Sequence, residues 1–406
     1  MNLLLFKSRK IFLFLVCLAV ILIIVEYAVA FQTENVFLVI IDGARYSETF
    51  GDETHTNIPK IYSLSLNGCV NTSFYNDKKT KTLNGVSAIL TGKWTDFTSR
   101  RTKWFWPFQK SISFPKVPSI WEYCRKQLNL PQDSSYYSFP GEGGFFQPVS
   151  YHKEYGPDYW PMRGHSGSNV ESWNELEIIM KSLHPKLVVL YLGETDSAGH
   201  SGDWDRYLKT IKTADEIVGA LWEKIQLDQN YQNKTTLIVA NDHGRHDDSH
   251  GGFKNHGDAC DGCQHIMFLT IGPDFKKNYK TDTRRTLVDI TPTLGKLLGF
   301  NPEYVKGKVM SELFIGTPIP DQQSVSTDED NRIKITLAAR DPDGDNLTFK
   351  IADNPLNGIL NGTPPEIIYT PNTDFNGEDS FTFTANDGKL ESIPAKVSIT
   401  VKSDND

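Results

Sequence analysis

Four runs of strand length are apolar almost throughout: VFLVII (36–41), LVVLYL (187–192), TLIVA (236–240) and IMFLTI (266–271). A strand with one wet face alternates polar and apolar positions. An unbroken run is the pattern of a strand covered on both faces, as in a parallel sheet with helices on either side. Between these runs lie stretches of a different period. In Trp204–Ile225 the apolar positions Tyr207, Ile211, Ala214, Ile217, Val218 and Leu221 recur near helical spacing, which predicts an amphipathic helix. Strands alternating with helices predict a layered α/β fold with a mostly parallel sheet. The pattern changes beyond Gly316-Thr317-Pro318-Ile319-Pro320. The runs IKITLAA (333–339), LTFKIA (347–352), SFTFTA (380–385) and AKVSITV (395–401) alternate and are punctuated by turn residues, which predicts a small all-β sandwich over 321–406.

The N-terminus follows a third pattern. Lys7, Arg9 and Lys10 precede an apolar run from Ile11 to Val25, and Ala28-Val29-Ala30 follows. This order predicts an export signal over 1–30, cut after Ala30, or failing cleavage a membrane anchor. The run falls short of the roughly 20 residues that span a bilayer. Composition then narrows the function classes. The chain has 406 residues, 39% of them hydrophobic, and a net charge of −8, enough apolar material for a sizeable core. Residues 321–406 hold 16 acidic and 7 basic side chains, so the acidity sits in the tail and the rest of the chain is close to neutral. Such a balance argues against nucleic-acid binding, which needs basic stripes. It is compatible with acting on anions where metal ions supply positive charge locally.

Candidate chemistry collects at the ends of the predicted strands. Asp42-Gly43 follows the first, Glu194-Thr195-Asp196-Ser197-Ala198-Gly199-His200 the second, and Asn241-Asp242-His243-Gly244 the third. His256-Gly257-Asp258 precedes the fourth, and five of the ten histidines fall between His243 and His265. Loops at the C-terminal strand ends of an open α/β sheet converge on one crevice. Carboxylate and neutral imidazole together suit zinc, and Asp42, Asp196, His200, Asp242, His243 and His256 are about enough for two ions that clamp both oxygens of an in-line displacement. Manganese suits a carboxylate-rich version of the site. A hydroxyl nucleophile is sought in Thr80-Lys81-Thr82-Leu83-Asn84-Gly85, ahead of a helical stretch whose N-terminal N–H groups would face a phosphate. Thr82 and Thr80 both qualify. Arg45, just after Asp42-Gly43, is a second candidate phosphate contact.

The ordered set of Asp-Gly, TxTxxG, DxxGH, DHG and HGD, followed by a strand ending in Gly272-Pro273, resembles the alkaline phosphatase superfamily near its type I phosphodiesterase/nucleotide pyrophosphatase branch. VDITPTL (288–294) and Gly307-Lys308-Val309-Met310 are similar to the C-terminal signature of that branch. The resemblance covers about 34–316 and implies a three-layer αβα domain over 31–316. It implies one zinc on Asp196, His200 and His256 and another on Asp42, Asp242, His243 and Thr82. Thr82 would attack phosphorus and form a phosphothreonine, with Asn84 contacting a non-bridging oxygen. The substrate implied is a small phosphate mono- or diester. Leu83-Asn84-Gly85-Val86 departs from the Pro, Asn, His order of the branch. No CxPxR-like motif is present, which sets a sulfatase behind a phosphohydrolase. A phosphonate hydrolase of the same superfamily and a non-catalytic surface adhesion protein that retains the fold are the remaining rival readings.

The tail resembles bacterial cadherin-like or Ig-like modules of exported proteins. Asp341, Asp343 and Asp345 stand at i, i+2 and i+4, and with Asp387 they are a candidate calcium site. The module would serve as spacer or for cell-surface and glycan contact. Removing 1–30 leaves Cys69, Cys124, Cys260 and Cys263, which can form disulfides in an oxidising compartment without the sequence giving the pairing; Cys260-x-x-Cys263 is read as a disulfide rather than a zinc half-site for want of a second CxxC. His246, His250 and His265 are read as loop polar groups or supports of the ligands. Trp104, Trp106 and Phe108 are read as local packing.

Overall fold

The computed structural model describes residues 31–105, 108–138, 147–164 and 166–403, with side chains described for all of these except 101–110. The leader expected over 1–30 and the side chains of Trp104, Trp106 and Phe108 lie outside this description. Phe31–Ile315 form one compact unit, and the chain from Gly316 onward forms another.

The first unit is built on an eight-stranded sheet. In chain order its strands are β1 (Asn35–Ile41), β2 (Cys69–Asn71), β3 (Ser135–Ser138), β4 (Met162–Arg163), β5 (Leu187–Leu192), β6 (Thr235–Ala240), β7 (Phe268–Ile271) and β8 (Tyr279–Thr281). Their spatial order is β8-β2-β7-β6-β1-β5-β3-β4. β1 pairs in parallel with both β5 and β6. The apolar run at 266–271 does form a strand, but β7 is antiparallel to β6 and to β2, which corrects the expectation of a parallel strand there. Burial on both faces produces the same unbroken apolar run whichever way the strand points.

Alternate residues of β1 enter separate cores. Val36, Leu38 and Ile40 pack with helices α2 (Thr82–Thr91), α3 (Ile120–Gln127) and α8 (Ile290–Leu298). Phe37, Val39 and Ile41 pack with α1 (Pro59–Ser65), α4 (Asn169–Leu183) and α6 (Trp204–Leu227). Between them in chain order come α5 (Glu194–Ser201) and the one-turn α7 (Asp261–Gln264). The unit is therefore three-layered, helices on sheet on helices. The helical spacing read in 204–225 is realised, with Tyr207, Ile211, Ala214, Ile217, Val218 and Leu221 all buried.

One buried acid holds the α3 side together. Glu122, fully buried, accepts hydrogen bonds from the Ser119 amide (2.7 Å) and hydroxyl (2.8 Å), the Ser150 hydroxyl (2.6 Å) and amide (3.1 Å), and the Gly156 amide (2.9 Å). Glu122→Ala leaves five donors without an acceptor, and a loss of about 3 kcal/mol or more is expected in a denaturant titration.

The second unit is a sandwich. One sheet runs Gln323–Asp328, Ala395–Lys402, Gly377–Asn386, Thr348–Asp353, and the other Ile333–Thr336, Glu366–Pro371, Gly358–Thr363. The first pair of strands is parallel, and the other pairs are antiparallel. Ile335, Ile367 and Tyr369 from one sheet meet Phe381, Phe383, Val397 and Ile399 from the other.

Candidate metal centre and nucleophile

The parallel register of β5, β1 and β6 decides where the site lies. Ile41 stands opposite Leu192 and Ile40 opposite Ala240, so all three strands end at one level. Asp42, the start of α5 and Asn241-Asp242-His243 leave from that edge. Asn241 ties the edge together, donating to the Ile41 carbonyl at 2.7 Å and accepting from the Met267 amide at 3.1 Å. On α5, Asp196 and His200 are four residues apart and share a helix face, with His200 Nε2 3.3 Å from Asp196 Oδ2.

All six ligand candidates come together. His243 Nε2 is 3.2 Å from Asp42 Oδ1 and 3.5 Å from Asp242 Oδ2. His256 Nε2 is 3.4 Å from Asp196 Oδ1 and 3.0 Å from His200 Nε2. One ligand atom from each of Asp42, Asp242 and His243 lies within 4.8 Å of the others, and the same holds for Asp196, His243 and His256. His243 thus stands between the two sets. Its ring stacks on that of His256 with centroids 4.0 Å apart.

Thr82 begins α2, and its Oγ1 lies 3.1 Å from His243 Nε2 and 3.5 Å from Asp42 Oδ1. The approach depends on Gly85, where any Cβ would run into the Asp242 carbonyl oxygen. Thr80, the other hydroxyl considered, is buried and committed to structure. Its Oγ1 donates to the Asp258 carbonyl at 2.7 Å, and its carbonyl stands 2.8 Å from His256 Nδ1. That contact leaves Nε2 of His256 for the site. Asn84 lies on the same first turn as Thr82, half-buried, and its side chain makes no hydrogen bond among the described residues.

Arg45 is not brought to the site, which corrects its reading as a phosphate contact. Its Nε and Nη2 donate to Glu48 at 2.6 and 2.9 Å, and Nη1 donates to the His246 carbonyl at 3.0 Å. A guanidinium matched to a carboxylate three residues along has little left for a ligand.

Two groups not singled out in the sequence complete the surroundings. Tyr191, buried at the end of β5, donates its hydroxyl to Asp42 Oδ2. Arg245, wholly buried, donates from Nη1 to Asp196 Oδ1, from Nε to the Phe253 carbonyl, and from Nη2 to the Lys254 carbonyl at 2.7 Å. The signal for Arg245 is its place two residues after His243; nothing in an apolar run marks Tyr191. Arg245 holds Asp196 in position. Arg245→Met is expected to weaken metal binding by roughly 10- to 100-fold, as loss of a ligand's support does, in a metal-competition titration. Lysine cannot reach three divergent acceptors and will not restore it.

One buried carboxyl oxygen of the site finds no partner among the protein's own groups. Asp242 is fully buried, its Oδ2 accepts no hydrogen bond, and burial followed by the charge of Asp42 pushes its carboxyl well above the usual range. Burial opposes protonation of His243, but Asp242 and then Asp42 lift it to about 10. Burial and then His243 lower His256 to about 3, so its imidazole is neutral. A buried carboxyl with an unsatisfied oxygen beside a neutral imidazole fits a divalent cation.

In the second unit, Asp341, Asp343 and Asp345 each bring a carboxylate oxygen within 4.8 Å of the others. Lys389 Nζ stands 2.7 Å from Asp345 Oδ2 and compensates part of that charge. Asp387 is not in the trio; its Oδ1 accepts from the Lys389 and Leu390 amides, both at 2.6 Å, and closes a turn. Cys260 and Cys263 are thiols, against the reading of that pair as a disulfide, and Cys124 is a thiol as well.

Residues 164–302 match the sequence model of the Metalloenzyme superfamily, and residues 316–400 that of the bacterial Ig domain. A 2,3-bisphosphoglycerate-independent phosphoglycerate mutase of Haloarcula marismortui is 27% identical over 130 residues, 32% of this chain and 24% of that protein, so the chain matches about a quarter of the length of this curated relative. Among solved structures, a 2-O GAG sulfatase superposes with a TM-score of 0.54 at 10% identity, covering 88% of this chain and 84% of its own. An alkaline phosphatase superfamily protein of Vibrio parahaemolyticus superposes at 0.50 and 14% identity, covering 89% and 79%. Murine ectonucleotide pyrophosphatase/phosphodiesterase 5 superposes at 0.50 and 16% identity, covering 69% of this chain and all of its own. The α/β unit has the fold of the alkaline phosphatase superfamily structures and matches the metalloenzyme superfamily over 164–302, and the C-terminal unit matches a bacterial Ig domain over 316–400.

Proposed function

We propose that the α/β unit is a two-metal phosphoric ester hydrolase whose nucleophile is Thr82. The observation that carries this reading is the position of the Thr82 hydroxyl, 3.1 Å from His243 and 3.5 Å from Asp42, in a cluster of six carboxylate and imidazole side chains where the buried Asp242 Oδ2 accepts no hydrogen bond. Asp196, His200 and His256 would hold one ion and Asp42, Asp242 and Thr82 the other, with His243 facing both. The pair of ions, zinc or manganese, would lower the pKa of the threonine hydroxyl and offset charge on the phosphoryl group. Thr82 Oγ1, having lost its proton, forms a bond to phosphorus as the bond to the leaving oxygen breaks, and that oxygen takes up a proton. Water then displaces Thr82 from phosphorus and restores its hydroxyl. Asn84, half-buried beside Thr82, is placed to donate to a non-bridging oxygen. The nucleophile in this reading is an unmodified threonine, so a formylglycine-dependent sulfatase is set aside.

The sequence identity with a mutase favours one rival, transfer of the phosphoryl group from Thr82 to a second hydroxyl rather than to water. Export ahead of the Ig domain is part of the proposal. Among the described residues no helix is long and apolar enough to cross a membrane. The test is a rate comparison on aryl phosphate mono- and diesters, with and without chelator, repeated with an alcohol as competing acceptor. Chelator-sensitive release of phosphate supports hydrolysis, and phosphorylated alcohol in its place supports the rival. A background rate indifferent to chelator overturns both.

A further inference from the structure

Beyond the six ligand candidates, four metal-binding side chains meet at a second place in the α/β unit. One atom each from His246, Asp258, Cys260 and Cys263 lies within 4.8 Å of all the others. Both cysteines are buried thiols. His246 Nε2 is 3.1 Å from Asp258 Oδ2, is sealed from solvent, and yet makes no aligned hydrogen bond. A nitrogen and a carboxylate oxygen that close without sharing a proton are arranged as two ligands facing a common cation are. Two sulfurs, one imidazole and one carboxylate make a full tetrahedral zinc set, and ligands of such an ion stand about 3–4 Å apart. Only a small contraction separates the four atoms from that geometry.

We propose that His246, Asp258, Cys260 and Cys263 bind a third, structural zinc ion, distinct from the pair beside Thr82. The four ligands come from two loops. His246 lies three residues beyond His243, and Asp258 two residues beyond His256. The backbone already holds these loops together, with the Gly244 amide donating to the Cys263 carbonyl at 2.9 Å and the His246 amide to the Asn255 carbonyl at 2.8 Å. At Gly244 any Cβ would strike the Gly262 carbonyl oxygen, so the Cys260–Cys263 turn presses directly on the chain that carries His243. A tetrahedral ion here clips the His243 loop to the His256 loop. An overlapping trio, Asp247, His250 and Cys260, offers one ligand fewer and is more exposed, and His250 Nδ1 is already 2.6 Å from Asp247 Oδ1.

The full chain, purified with zinc, is assayed for metal by mass spectrometry beside the C260S/C263S double variant. The variant is expected to hold one zinc fewer per chain. Loading the unaltered protein with cobalt(II) supplies a readout that needs no variant: thiolate ligands give a sulfur-to-cobalt charge-transfer absorption that carboxylate and imidazole ligands do not. That band is expected in the unaltered protein and in T82A and D242N, and absent from the double variant, so it stands apart from the fate of the phosphoryl-transfer reading. A cobalt-loaded protein without the band overturns the proposal. So does an intact mass showing Cys260 and Cys263 joined as a disulfide.

Discussion

Thr82→Ala is expected to lower turnover of aryl phosphate esters on the order of 10³-fold or more while leaving the fold intact. The side chain is half-buried, and among the described residues its Oγ1 meets His243 and Asp42. Removing it opens no core cavity, so circular dichroism and the thermal midpoint should hold within a few degrees. Thr82→Ser keeps a hydroxyl on the first turn of α2 and is expected to retain a measurable part of the activity. Rapid quench of the unaltered protein should trap phosphate on Thr82, and the alanine variant should trap none. If T82A turns over at the rate of the parent, the nucleophile has been misplaced.

Removing metal should unfold the protein more readily, and the reason lies in Asp242. Its Oδ2 accepts no hydrogen bond, and Asp42 and Asp196 add like charge to a buried site. Each ion held at 1,000 times its dissociation constant stabilises by about 4 kcal/mol. Chelation is therefore expected to lower the melting temperature on the order of 10 °C, read by calorimetry. Asp242→Asn removes a buried carboxyl that without metal must take up a proton or stay unpaired, so its metal-free form should melt above the metal-free parent, whereas its response to added metal should be largely lost. The opposite signs distinguish a charge problem solved by metal from simple damage. The pH dependence follows from His243, which is lifted to about 10 without metal. Below that value the imidazole carries a proton that a cation must displace. Metal affinity of the stripped protein should then fall as pH falls, by up to tenfold per unit, with a proton released on uptake. A flat profile between pH 6 and 9 would show that His243 is not a ligand.

These outcomes depend on residues that are legible in the sequence to different degrees. Asp42, Asp196, His200, Asp242, His243 and His256 can be read because each follows or precedes an apolar run, and such runs end at one edge of a sheet. Arg45 is misread because nothing in a linear pattern reveals that Glu48 folds back onto its guanidinium. Tyr191 is invisible because its ring satisfies the apolar pattern of β5 while its hydroxyl reaches Asp42. Cys260 and Cys263 read as an isolated pair. Their partners His246 and Asp258 sit on segments that meet only when the two loops pack together.

What the sequence determined by itself is the alternation of strand and helix, the change to a β-sandwich near residue 316, and the kinds of side chain available at each strand end. Periodicity and residue chemistry are local properties, and local interactions suffice to set them. The tertiary structure alone decided the antiparallel sense of β7, the placing of the Thr82 hydroxyl beside His243 and Asp42 while that of Thr80 turns to the Asp258 carbonyl, the hold of Arg245 on Asp196, and the meeting of His246 and Asp258 with two thiols. Each of these is a relation between segments that local pattern leaves unconnected. Such relations arise from the packing of two cores on one sheet, which no single stretch of chain encodes.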